Sequence, residues 1–169
     1  TRRSSDLGNQ WQKYVLPEHN IIRAVYCHRD RVYTGAYGAF GYWVRDACGH
    51  HSYTSLAHFV PNKLLDKEEV WHITSDGKDV YFQSFSVLLR YDGQAIHHVK
   101  LPGSIMFLQF VNGNKIIQCI DSGLYEIIDD NNHRKIAHTD FFIGKTVTAI
   151  LPQVQDTASW LITTASDGV

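Results

Sequence analysis

The chain has 169 residues, 44% of them hydrophobic and 12% aromatic, which supplies enough apolar side chain for a sizeable core and excludes a disordered polypeptide. Lys and Arg number 16 against 17 Asp and Glu, a net charge of −1, so no basic field is available to hold nucleic acid by its phosphates. No apolar run approaches the roughly 18 residues that a membrane span needs, and the opening TRRSSDLG lacks the apolar stretch of a signal peptide, so any export signal or membrane anchor is expected outside this chain.

The first apolar alternation, Trp11 to Pro17, has the pattern of an outer strand without companions. A run of four strands follows: Ile21–His28, a turn at Arg29-Asp30, VYTGAY (Val32–Tyr37), YWVRD (Tyr42–Asp46) after turn glycines Gly38 and Gly41, and SYTSLA (Ser52–Ala57). His58 to Lys67 contains Pro61 and Asn62 without alternation and reads as a connecting loop. The order then repeats as Val70–Ser75, VYFQSF (Val80–Phe85), Leu88–Asp92 and Ala95–Lys100. Asp92-Gly93 is a tight hairpin signal, because Gly accepts the positive φ that a primed turn demands.

A third round comprises Ile105–Val111, the turn Asn112-Gly113-Asn114, IIQCID (Ile116–Asp121), Leu124–Ile128 and RKIAHTD (Arg134–Asp140). A fourth opens with Thr146–Leu151 and Trp160–Ala165, containing LITTAS from Leu161, and runs to Val169.

The second strands, beginning at Val32, Val80, Ile116 and Leu161, recur at intervals of roughly 36 to 48 residues with only strand-like segments between them, the pattern of four-stranded propeller blades. The expected fold is all-β: a β-propeller fragment with three complete four-stranded antiparallel blades plus two partial ones. The expected divisions are 1–19 (last strand of a preceding blade), 20–68, 69–103 and 104–145 (one blade each), and 146–169 (first half of a blade). Such a piece exposes interblade faces and a strand edge at Trp160 to Ala165, so self-association is expected.

Ser122-Gly123-Leu124-Tyr125, the run Leu88 to Gly93 and Asp167-Gly168-Val169 resemble the two-component-regulator propeller repeat, in which an aromatic-rich second strand leads into a G-L-x-x-Y-D third strand. Arg31 to Trp43 and Glu69 to Gly93 look similar to the sensor propellers of Bacteroides-type hybrid two-component systems and membrane-bound LuxR-type regulators. The chain departs from that pattern where a W-x-G-T second strand is expected, having Val80-Tyr81-Phe82-Gln83 and Ile117-Gln118-Cys119-Ile120. The resemblance implies a periplasmic ectodomain that senses glycan fragments for a kinase or DNA-binding output, with membrane attachment and output domains outside this chain.

The densest aromatic cluster, Tyr37, Phe40, Tyr42 and Trp43 interleaved with glycines, supplies the candidate ligand-binding residues, since aromatic faces stack on sugar rings. The same alternation also serves as filling between sheets. Cys27-His28 and Cys48-Gly49-His50-His51 place thiolate and imidazole near each other but lack the paired ligand spacing of a zinc site, so no metal, no cofactor and no catalytic residue is assigned; Cys27 is expected buried on its strand. The ten histidines and the turn carboxylates Asp76, Asp79, Asp92, Asp129 and Asp130 are organised by no catalytic motif. The expected ligand is a neutral or acidic oligosaccharide. The alternatives are a WD40-like interaction scaffold, against which the missing G-H and W-D dipeptides count, and a carbohydrate-active propeller enzyme.

Overall fold

The structure is a computed structural model that describes residues 12–153 and 159–167. Its strands form four antiparallel sheets in chain order. The first contains β1 (Ile22–His28), β2 (Arg31–Ala36), β3 (Phe40–Arg45) and β4 (His51–Ser55); the second β5 (His72–Ser75), β6 (Val80–Gln83), β7 (Leu88–Tyr91) and β8 (Ile96–Val99). The third contains β9 (Ile105–Val111), β10 (Asn114–Cys119), β11 (Gly123–Ile127) and β12 (His133–Lys135), and the fourth β13 (Val147–Pro152) and β14 (Trp160–Thr164). Every sheet is a simple meander, each strand paired to its sequence neighbour, because short polar turns permit nothing longer.

The sheets stack face to face, and strand alternation sorts each side chain to one layer or the next. On β6, Val80 and Phe82 point back to join Tyr33, Phe40, Ile73 and Leu89 between the first and second sheets. Tyr81 points forward to join Leu88, Val99, Leu108 and Ile117 between the second and third. Ile116, Leu124, Val147 and Ile150 fill the layer between the third and fourth. The first strands of successive sheets, β1, β5, β9 and β13, lie next to one another along the stack. Gln109 on β9 clasps β13 with a two-way amide bond: its Nε2 donates to the Ile150 carbonyl at 2.9 Å and its Oε1 accepts the Ile150 N–H at 3.0 Å.

Several expectations shift. Pairing places Gln118 opposite Leu124 as Gln83 is opposite Leu88, so Lys115, not Ile116, is the counterpart of Val80, one residue from the expected alignment. A one-residue slip exchanges the two faces of a strand, and the apolar pair Ile116-Ile117, buried on both sides, hides it.

The expected strand Arg134–Asp140 is shorter, β12 ending at Lys135, because the chain turns inward there. Thr139 Oγ1 donates to the Ile136 carbonyl and accepts the Leu124 N–H, and Asp140–Phe142 forms a 3-10 turn. The loop from His58 to Lys67 carries part of a 3-10 turn, Ala57–Phe59, and a one-turn helix α1 (Asn62–Leu65), which let Leu56, Val60 and Leu65 enter the first layer.

No strand forms over residues 12–16, although the segment is not loose: Leu16 is 1% exposed, and Tyr14 packs edge-on against Trp43 and His51 on the outer face of the first sheet. Trp11, Gly168 and Val169 lie outside the described residues. Cys27 is exposed, as is Cys48, and the buried thiol is Cys119.

Candidate functional site

The four aromatic residues singled out in the sequence do not share a surface. Phe40 is 0% exposed and packs on Phe82 with ring centroids 4.7 Å apart, inside the layer between the first two sheets. Trp43 faces the opposite side of the first sheet, its Nε1 donating to Thr34 Oγ1 at 3.1 Å. Tyr42 is half-buried, stacked on Tyr91, with the Arg31 guanidinium 4.3 Å above its ring. Tyr37 alone of the four is open to solvent, at 51%.

Tyr37 sits in the turn between second and third strands of its sheet. The corresponding turn of the second sheet carries Phe85, and the connections between sheets carry Phe59, Trp71 and Phe141. In an up-and-down meander, those turns and connections all emerge at the same end. Phe59, Phe85 and Phe141 are, like Tyr37, more than half exposed, and these four are all the exposed aromatic side chains among the described residues. One end of the stack therefore presents a rim of aromatic rings, while the other carries Asx turns headed by Asp76, Asp92 and Asp129.

The rim is held firmly. Between sheets, a backbone N–H near the start of one sheet donates to the turn of the sheet before it: Val70 to Ala36 at 3.0 Å, Ile105 to Phe85 at 2.8 Å, and Gly144 to Ile120 at 3.2 Å. Glu68 ties the first two turns together, its carbonyl accepting the Gly38 N–H and its carboxylate accepting both Ser84 Oγ and Ser86 Oγ. Gly38 has φ of +62°, a left-handed turn that places Tyr37 outward at little steric cost. Trp71 stacks between Phe85 and His72, with ring centroids 5.2 and 5.9 Å away.

Below Tyr37 an open cleft of about 580 Å³ is floored by Ala57 and Leu65 and edged by Glu18, His58, Asp66 and Lys67. Its size falls in the range of small-ligand sites, and it mixes apolar floor with hydrogen-bonding groups of both signs. Phe59, Trp71, Phe85 and Phe141 lie outside the densest aromatic run of the sequence; the signal they carry is an aromatic residue in a turn or connection, as in Ser84-Phe85-Ser86, where no strand face exists to bury it.

The main charge cluster lies elsewhere. Arg90 Nη1 meets Asp79 at 2.6 Å and its Nε meets Asp130 at 2.9 Å, linking the second sheet to the outer turn of the third. The guanidinium holds the Asp130 carboxyl below its ordinary range, and the carboxylates in turn raise Arg90. Arg90 pairs with both carboxylates, which marks a clasp between sheets, although Asp79 Oδ1 is buried without a partner among the described residues. Among the described residues no group of three His, Cys, Asp or Glu side chains is arranged to hold a metal ion.

No family model matches the chain, and no curated protein matches it. Among solved structures, the crystal structure of the computationally designed Ika4 protein is similar, with a TM-score of 0.56 and 19% identity over 95% of this chain and 96% of that one. At that identity the likeness speaks for the arrangement of sheets alone.

Proposed function

We propose that the stacked sheets are successive blades of a β-propeller whose aromatic end binds a saccharide, and that the chain is part of a periplasmic sensor in a membrane-anchored two-component or LuxR-type regulator. The propeller reading is supported by the meander order of each sheet and by the first strands of successive sheets lying next to one another, as they would around a central axis. The observation that carries the ligand reading is the segregation of exposed rings, Tyr37, Phe59, Phe85 and Phe141, to one end. Exposed aromatic faces on a rigid frame are costly to leave in water, and sugar rings offer the C–H faces that stack on them. The regulator setting is what the sequence resemblance implies.

Signalling follows from differential affinity: a glycan that binds one arrangement of the ectodomain better than another shifts the population by that difference and no more. Calorimetry of the chain against a panel of neutral and acidic oligosaccharides tests the ligand class. The expected result is saturable binding that Tyr37→Ala weakens while the oligosaccharide is recovered uncleaved. Cleavage of the probe would favour an enzyme, and binding unaffected by loss of the rim aromatics would remove the site.

A further inference from the structure

We infer that the end of the stack opposite the aromatic rim carries a second site, a cationic cleft between the first and second sheets that takes a small oxyanion: a carboxylate or phosphate group on a molecule no larger than a single sugar ring. The cleft measures about 280 Å³ and lies where the β1–β2 turn of the first sheet meets the β5–β6 and β7–β8 turns of the second. Arg29, Arg31 and Lys78 converge on it from two sheets.

Among the described residues none of these three cations is ion-paired to a carboxylate. Arg23, Arg90 and Arg134 each sit on one, at Glu69, Asp79 with Asp130, and Glu126. Among the described residues Arg29 instead reaches the Gly77 carbonyl at 3.4 Å, and Arg31 the Tyr91 hydroxyl at 3.4 Å, the face of Tyr42 and the neighbouring Tyr33. Lys78 has no side-chain partner among the described residues. Of the two acids on the wall, Asp92 is already engaged. Its Oδ1 accepts the Gln94 and Ala95 N–H groups and its Oδ2 meets His97 at 2.8 Å, so its oxygens are turned to other donors, and with Asp30 two carboxylates face the three cations.

Two further features fit an anion held in place rather than a diffuse surface charge. Arg31 is anchored by the Tyr42 ring beneath it and Tyr91 beside it, so its planar fork of donors is oriented before a ligand arrives; guanidinium geometry matches carboxylate and phosphate oxygens two at a time. His28 lines the same cleft, and its Nε2, shielded from water, has no hydrogen-bond partner among the described residues. A buried polar nitrogen left unpaired is costly, and a turn of the ring toward the cleft, with the proton on Nε2, lets it donate to a ligand oxygen. This site is independent of the rim: it uses different residues at the other end of the strands.

The test is titration calorimetry of the whole chain with glucuronate, inorganic phosphate and, as the uncharged control, glucose. Glucuronate or phosphate is expected to bind in the range below about 10 mM, to weaken as salt is raised, and to lose about tenfold in Arg31→Gln and several-fold in Arg29→Gln and Lys78→Gln. Which of the two anions binds tells whether the group is borne on a sugar acid or is a free phosphate. Arg29 and Lys78 are exposed turn residues, so their variants keep the test informative should Arg31→Gln fold poorly. Absence of binding by both anions overturns the site. So does glucose binding as well as glucuronate, or anion affinity unchanged in both Arg29→Gln and Lys78→Gln.

Discussion

Gln83 and Gln118 occupy the same position in successive sheets, and each spends its side-chain carbonyl on the first strand of the next. Gln83 Oε1 accepts the Leu108 N–H at 2.9 Å, and Gln118 Oε1 accepts the Val147 N–H at 3.1 Å. Both side chains are buried, so these bonds are made where water cannot replace them. The second, third and fourth sheets are therefore joined by directed polar bonds as well as by apolar layers, each bond spanning the gap with one glutamine side chain.

The two glutamines are not equally satisfied. Gln118 Nε2 donates to the Lys145 and Phe142 carbonyls, whereas Gln83 Nε2 is buried without a partner. Gln118→Ala is expected to cost about 2–4 kcal/mol, and Gln83→Ala about half of that, because each orphans a buried N–H, but the first also orphans two carbonyls whereas the second removes an unpaired donor. Urea midpoints at constant slope compare them, and a larger loss for Gln83→Ala would refute the assignment.

Gly35 holds the equivalent position in the first sheet, opposite Phe40. A Cβ there would lie 2.5 Å from Val70 Cγ1 and 2.7 Å from the Val70 carbonyl, so the second sheet approaches by direct contact instead of through an amide. Gly35→Gln, which restores the residue of the other sheets, is expected to destabilise by about 1–3 kcal/mol or more through overpacking. A variant as stable as the parent would mean that the first two sheets can separate to the wider spacing.

Removal of Arg90 should be more damaging than either. Arg90→Met strands the Asp79 side chain, 6% exposed, and is expected to cost about 3–5 kcal/mol, most of which is recovered when Asp79→Asn and Asp130→Asn are added. Because Arg90 lowers the Asp130 pKa, that carboxylate contributes stability above its unfolded value of about 4, and the contribution is lost as pH falls through the lower folded value. The parent should therefore lose stability below about pH 4 more steeply than Arg90→Met, as thermal melts across that window would show.

The sheets were legible because their signals are local: alternation within each strand and Asp-Gly or Asn-Gly between them. The register of β10 was not, since Ile116 and Ile117 are both buried and this unbroken apolar pair does not show that the strand's counterpart of Val80 lies one residue earlier, at Lys115. The site was harder. Phe40 and Trp43 resemble a sugar platform in composition, but alternation delivers one to each face of the first sheet, and both faces are covered. Tyr37 escapes burial only because the turn beginning there interrupts that alternation. Arg29, Arg31 and Lys78 come from turns almost fifty residues apart in sequence, and only the stacking of the two sheets brings them together.

That contrast separates stability from binding. Phe40→Ala is expected to cost about 3–5 kcal/mol as a cavity in the first layer. Tyr37→Ala and Phe85→Ala should change stability by less than about 1 kcal/mol and weaken oligosaccharide binding by about tenfold each, close to 1.4 kcal/mol. A Tyr37→Ala variant that unfolds easily and binds normally would reverse the assignment of roles.

Thiol chemistry reports on the layer between the second and third sheets. Cys119 is packed there, and burial pushes its thiol up to about 11, so it is both shielded and protonated at neutral pH. Cys27 and Cys48 are exposed. A disulfide reagent at pH 8 should therefore titrate Cys27 and Cys48 rapidly in the folded chain. Cys119 should react only as fast as its layer opens, and its rate, when opening is rapid relative to labelling, follows the free energy of that opening. Adding urea below the unfolding transition should accelerate Cys119 selectively, and Gln83→Ala should do so without urea, because it loosens the bond that closes the same layer. Immediate reaction of all three thiols in the parent would mean that the second and third sheets are not packed as described.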